Sequence, residues 1–185
     1  MNTQGLRNRF KRYDVLKYLK DLNANIISLQ DTHLTDKDLQ TILDEWEGEI
    51  ILHGNKTNSR GVALLFSKNF EYSVLNIVKD NIGNLLMADI DLKDFTIKLF
   101  SIYGPNEDNP TFYNELEAMI QTTPQDYTII SGDFNITLDQ NMDTYNYTNV
   151  NNPQAKNTVL QLMELNELVD TFRHLNPNTR RFTLR

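Results

Sequence analysis

Apolar positions along the chain fall into two rhythms. Between Arg7 and Leu22 they recur near helical spacing, at Phe10, Tyr13, Leu16, Leu19 and Leu22, which predicts a helix presenting that face. "NANIISLQ" is a short apolar run suited to a buried strand that ends at Gln30. "LTDKDLQTILDEWEG" opens with Thr35 followed three residues later by Asp38, a capping-box-like start, and closes at Gly48, so it reads as a second helix. The rhythm then shifts to strand-like runs in "EIILH", "GVALLFS", "EYSVLNIV", "LLMADIDL" and "FTIKLFSIY". Turn signals at Asn58-Ser59, Lys68-Asn69 and Gly83-Asn84 separate most of them. "NPTFYNELEAMIQ" predicts a helix with Pro110 in its first turn, and "YTIIS" another buried strand. Gln154 to Asn166 predicts a helix with Val159, Leu160, Met163 and Leu165 partly on one face, after a long loop in "NMDTYNYTNVNNPQ". Strand clusters with helices between them predict an α/β layered domain, two sheets covered by helices.

Composition narrows the function classes. At 185 residues the chain fits one domain with a substantial core. No apolar run approaches a membrane span, and the polar, basic N-terminus shows no signal-peptide core. The absence of cysteine excludes disulfides and thiolate metal sites and is compatible with an intracellular setting. A net charge of −7 argues against a simple electrostatic nucleic-acid binder. The charge is uneven, however. The first 23 residues carry Arg7, Arg9, Lys11, Arg12, Lys17 and Lys20 against two acids, and the end carries Arg173, Arg180, Arg181 and Arg185. Either the basic ends meet a phosphate backbone while central acids hold a metal, or they are solvated helix faces.

Polar residues recur where predicted strands become loops. Asn2 stands before Gly5, and Asp31 follows "IISLQ". Tyr103 follows "IKLFSI", and Asp133 and Asn135 follow "YTIIS". A rigid sheet carrying functional groups at its strand ends is a common way to build a site. Oxygen ligands from Asn2, Asp31 and Asp133 suit a hard cation such as Mg²⁺, which neutralises phosphoryl oxygens. Each residue alone has a bland reading: a turn or N-cap aspartate, a half-buried sheet tyrosine, an Asx-turn asparagine. Only the joint pattern favours chemistry.

"NTQGLR", "ISLQDTHL", "RGVALLFSKNF", "IYGPN" and "IISGDFN" together resemble the endonuclease/exonuclease/phosphatase superfamily. Within it they look most like the endonuclease domain of non-LTR (LINE-type) retrotransposon polyproteins, which also carry a reverse transcriptase. The resemblance covers essentially the whole chain, residues 1–185, as a single domain. It implies a four-layered α/β sandwich that cuts DNA by Mg²⁺-dependent phosphodiester hydrolysis, with Mn²⁺ as an alternative cation. It places Asn2 and Asp31 in the metal site and Tyr103 on the scissile phosphate. Asp133 would orient or deprotonate water, with Asn135 beside it on the phosphate. Arg181 and Thr183, in "RRFT", would lie near bound DNA. Location would be nuclear if the substrate is chromosomal DNA, and oligomeric state is left open.

Three departures from the family pattern carry expectations of their own. Asp31 replaces the usual Glu. No apolar strand precedes Asn2 to fix it in a sheet. The family's last strand segments and terminal Ser-Asp-His do not appear, so the sandwich is expected to be incomplete at both ends and the isolated chain weak or inactive in cleavage. His33, His53 and His174 are expected to be structural, with His33 facing away from Asp31 or into a loop. The competing functions are a non-catalytic remnant that binds nucleic acid or protein, and a related phosphatase.

Overall fold

A computed structural model describes residues 1–55, 59–145 and 151–180. The chain divides into two compact units, one of Met1–Gly104 with Thr123–Phe134, the other of Pro105–Thr122 with the residues from Asn135 onward. The first unit opens with α1 (Arg9–Asp21), followed by β1 (Ile26–Gln30) and, after a 3-10 turn at Asp36–Asp38, a short α2 (Leu39–Leu43). β2 (Glu49–His53), β3 (Val62–Phe66), β4 (Ser73–Lys79), β5 (Leu85–Asp91), β6 (Thr96–Tyr103) and β7 (Tyr127–Asp133) complete it.

The strands form two sheets. The first is antiparallel in the order β1-β3-β2, and the second runs β4-β5-β6-β7, antiparallel except for the parallel β6–β7 pair. β3 is buried along its whole length because both of its faces meet apolar layers. Ala63 and Leu65 join Leu16 and Leu19 of α1 and Ile42 of α2 in an outer core. Val62, Leu64 and Phe66 face Leu86, Ala88, Ile90, Ile97 and Leu99 of the second sheet. A strand buried on both faces reads as a continuous apolar run, as "VALLF" does. Two sheets with flanking helices make this the α/β class that the pattern predicts.

Two predicted helices differ in instructive ways. α1 buries Arg12, Leu16 and Leu19, while Phe10, Tyr13 and Leu22 are exposed. The face is set by Arg12, whose Nε and Nη2 donate to the two Glu45 carboxylate oxygens at 2.7 and 2.9 Å and whose Nη1 donates to the carbonyls of Leu6 and Arg7. A guanidinium satisfied on both edges costs little to bury, so it displaces the aromatic stripe from the core. The second helix stops at Leu43 instead of running on towards Gly48. Trp46 turns inward and donates its indole N–H to the Phe66 carbonyl at 2.9 Å, and a Cβ on Gly48 would stand 1.8 Å from that carbonyl oxygen. Asp38 does act as the sequence suggests, accepting from the Thr35 amide and hydroxyl at 2.8 Å.

The second unit is helical: α3 (Pro110–Ile120), α4 (Gln140–Asp143), α5 (Pro153–Leu165) and α6 (Thr171–Leu175). α3 packs against α5. α5 buries Ala155, Val159 and Leu162, leaving Leu160 and Leu165 exposed, and Asp108 rather than a residue next to the helix caps its N-terminus. The Asp108 carboxylate accepts from the amides of Gln154 and Ala155 at 3.1 and 2.8 Å.

Truncating Arg12 leaves Glu45 and two backbone carbonyls without their partner. Arg12→Ala is expected to cost about 3 kcal/mol, read as a lower urea midpoint with an unchanged m-value. A loss below about 0.5 kcal/mol, the range of an ordinary surface change, would contradict this role.

Candidate active site

Asn2 is held by its backbone, although no apolar strand precedes it. The Thr3 amide donates to Gln30 O at 2.8 Å and the Gln30 amide to Met1 O at 3.0 Å, a parallel bridge that sets Asn2 beside the end of β1. The Gly5 and Leu6 amides then donate to the carbonyls of Asp31 and Thr32, each at 2.7 Å. Main-chain pairing on both sides thus supplies what the sequence pattern lacks. Asn2 donates from Nδ2 to Asp133 Oδ2 at 2.9 Å, while its Oδ1 accepts from the Gln4 amide.

Asp133 arrives from the far end of the chain through β7. The parallel register pairs Tyr103 with Asp133, and the Gly104 amide donates to Asp133 O at 2.7 Å. Gly132 makes this approach possible, because a Cβ there would stand 2.1 Å from Ile102 O. The Tyr103 phenol is pushed above the ordinary tyrosine range, first by burial and then by the negative charges of Asp31 and Asp133, with Arg60 pulling the other way. Tyr103 is therefore a protonated donor at neutral pH, flanked by both carboxylates.

Asp31 sits in the left-handed region with φ 54°, as do His33 at 54°, Gln4 at 48° and Arg60 at 63°. Left-handed backbone at non-glycine residues is uncommon and persists where the surroundings enforce it. Here the enforcing contacts are the bonds from Gly5 to Asp31, from Thr32 to Gly61 O at 3.0 Å and from His33 to Arg60 O at 2.7 Å. The same geometry turns His33 back towards Asp31, contrary to the sequence expectation, with Nε2 2.9 Å from Asp31 Oδ1.

Behind these segments lies Asp80, which the sequence reading passed over. Its Oδ1 lies 2.6 Å from His53 Nε2 and accepts from the amides of Ile82, Gly83 and Asn84, while Oδ2 accepts from Asn84 as well. Burial alone would raise this carboxyl. The hydrogen bonds from His53 and from the Asn84 and Gly83 amides outweigh that and hold it below the usual carboxylate range.

Four of the expected residues, Asn2, Asp31, Tyr103 and Asp133, therefore gather in the first unit. Asn135 belongs to the second unit, where it is left-handed with φ 51° and its carbonyl accepts from the side-chain amides of Asn151 and Asn152 at 3.2 and 3.1 Å. Arg181 and Thr183 lie outside the described residues. Arg60 was missed although it stands in the quoted "RGVALLFSKNF"; a cation directly before a buried strand was the available signal. Several basic residues at the two ends are used internally. Arg12 bonds to Glu45, Lys20 to Glu47, and Arg173 to Asp143, while Arg180 donates to Thr144 O.

Among the described residues no group of three or more His, Cys, Asp or Glu is placed to hold a metal ion. The oxygen donors on offer are the carboxylates of Asp31 and Asp133 and the amide oxygen of Asn2, types that fit a hard divalent cation. A separate cavity lined by Glu49, Tyr72, Asp91 and Lys93 contains none of these residues. Among the described residues no helix is long and apolar enough to cross a membrane.

Strand-end carboxylates beside a half-buried phenol thus sit on a two-sheet α/β framework, and residues 1–164 match the Endonuclease/Exonuclease/phosphatase family. The chain belongs to that family. It is 31% identical over 190 residues to the Transposon TX1 uncharacterized 149 kDa protein of Xenopus laevis, a match covering 99% of this chain and 14% of that protein's length. Its fold is that of an AP endonuclease from Archaeoglobus fulgidus, with TM-score 0.79 and 19% identity over 100% of this chain and 76% of that one. The endonuclease domain of TRAS1, a telomere-specific non-LTR retrotransposon, shares the fold at TM-score 0.60 and 14% identity, over 88% of this chain and 70% of that one. The family match and the transposon relative bear out the sequence resemblance.

The Asp80 carboxyl yields a pH prediction. A carboxyl whose folded value lies below its unfolded value stabilises the protein above the unfolded pKa, about 4. That stabilisation is lost as pH falls through the lower folded value. Asp80→Asn is expected to be less stable than the unaltered chain above about pH 5, with the gap closing below about pH 4, in urea titrations across that range. A gap independent of pH would contradict the assignment.

Proposed function

We propose that the chain is a single metal-dependent DNA endonuclease domain of a retrotransposon-type protein, nicking target DNA by phosphodiester hydrolysis. The observation that carries this reading is the convergence of Asn2, Asp133 and Tyr103 beside Asp31, with a side-chain bond between Asn2 and Asp133. Asp133, aligned by the Asn2 amide, orients the attacking water and takes its proton; a base in hydrogen-bond reach of water can do both. Tyr103, kept protonated, donates to a non-bridging phosphate oxygen. Asp31 and Asn2 would hold the divalent cation, Mg²⁺ or Mn²⁺, with His33 fixing the Asp31 carboxylate from behind. Such an ion, when bound, supplies positive charge to the phosphate and the leaving oxyanion. Arg181 and Thr183 extend the DNA contact, and a chromosomal substrate implies action in the nucleus. The relatives support this reading through a transposon protein and two folds named as endonucleases.

A second reading, a remnant that binds nucleic acid without cutting it, is favoured by the lack of a three-residue acid or histidine cluster among the described residues. Supercoiled plasmid separates the two. The purified chain is expected to convert it to the open circle only slowly with Mg²⁺, and EDTA or Asp133→Ala should abolish that conversion. Retention of plasmid without nicking supports the remnant. Nicking that survives Asp133→Ala contradicts the assigned site, and release of phosphate from a 3′-phosphorylated end alone indicates a phosphatase.

A further inference from the structure

The segment Asp80–Asn84 carries no residue of the proposed site, yet its backbone reaches two of the segments that do. Gly83 O accepts from the Gly61 amide at 3.0 Å, and Asn84 O accepts from the Tyr103 amide at 2.7 Å. Gly61 O accepts in turn from the amide of Thr32, the residue after Asp31, and Arg60 O from the amide of His33. A single carboxylate organises this segment: Asp80 gathers three consecutive backbone amides and the His53 imidazole, with both side chains about nine-tenths buried. Amides converging there need an acceptor with several lone pairs, and a charged one binds them more strongly than a neutral one.

The connection is tight as well as continuous. Gly61 has φ +98°, and a Cβ on it would stand 2.5 Å from Thr32 Oγ1. Movement of the Asp80–Asn84 segment has little slack to disperse into before it reaches Thr32 on one side and Tyr103 on the other.

We propose that Asp80 is a positioning residue of the hydrolytic site, fixing Tyr103 through Asn84 and the Asp31 segment through Gly83 and Gly61. The proposal rests on the endonuclease reading given above. It deepens that reading, because displacements of well under an ångström at a phosphate-contacting group are costly in rate. A purely structural carboxylate would affect stability without selecting the turnover step. Asp89 provides that comparison: it lies within β5, pairs with Lys98 at 3.3 Å with both side chains 1% exposed, and accepts from Asn76.

The test compares Asp80→Asn with Asp89→Asn in nicking kinetics and in backbone amide NMR of the labelled chain. Asp80→Asn is expected to lower kcat about tenfold with KM unchanged. In a Tyr103→Phe background the same change should cost about threefold or less, because residues that act as a unit are not additive. The amides of Tyr103, Gly61 and Thr32 should shift in Asp80→Asn and stay in place in Asp89→Asn. Losses from the two changes that multiply strictly, an unchanged kcat, or unmoved amides at all three positions would overturn the proposal. If Asp80→Asn does not fold, His53→Ala removes the imidazole from the cluster and is read in the same way. The amide shifts decide the coupling even if the unaltered chain cuts no DNA. That result would remove the endonuclease reading and leave the Asp80 connection standing.

Discussion

Parallel pairing of β6 with β7 brings the C-terminal ends of two strands to one end of the second sheet, with Tyr103 opposite Asp133. The antiparallel β5 enters at the same end, so the Asn84 carbonyl meets the Tyr103 amide. Across the sandwich, β1 and the bridged residues Met1–Thr3 deliver Asp31 and Asn2. Everything chemical about the first unit depends on this convergence. It is tight enough that a glycine is needed at position 132, where Ile102 O leaves no room for a side chain.

The site segments are loops, and loops ordinarily tolerate displacement. Here they are bound to one another through main-chain hydrogen bonds: Gly5 to Asp31, Thr32 to Gly61, Gly61 to Gly83 and Tyr103 to Asn84. Such bonds do not depend on which side chains are present, so the framework holds while the side chains at its rim remain available for chemistry. The left-handed backbone at Gln4, Asp31, His33 and Arg60 is the local cost of that arrangement.

Much of this was legible in the sequence. The strands announce themselves through apolar runs, and Asp31, Tyr103 and Asp133 stand out as polar groups where those runs end. What escaped was long-range. The buried face of α1 is chosen by an ion pair between Arg12 and Glu45, 33 residues apart, and helical periodicity contains no trace of it. Trp46 and Gly48 end α2 early through contact with the Phe66 carbonyl, again a tertiary effect. Asn2 looked unsupported because apolar patterning does not reveal a backbone bridge. Asp80 drew no notice and His53 looked merely structural, since only folding brings them to 2.6 Å.

The central claim is that Asp31, Asn2 and Asp133 form one cation-dependent hydrolytic site. Mn²⁺ titration of the purified chain, followed by loss of the free-ion EPR signal without DNA present, tests it most directly. The account predicts saturable binding that Asp31→Ala abolishes and Asp133→Asn weakens, with the fold retained in both. Mn²⁺ binding unchanged by Asp31→Ala would contradict it.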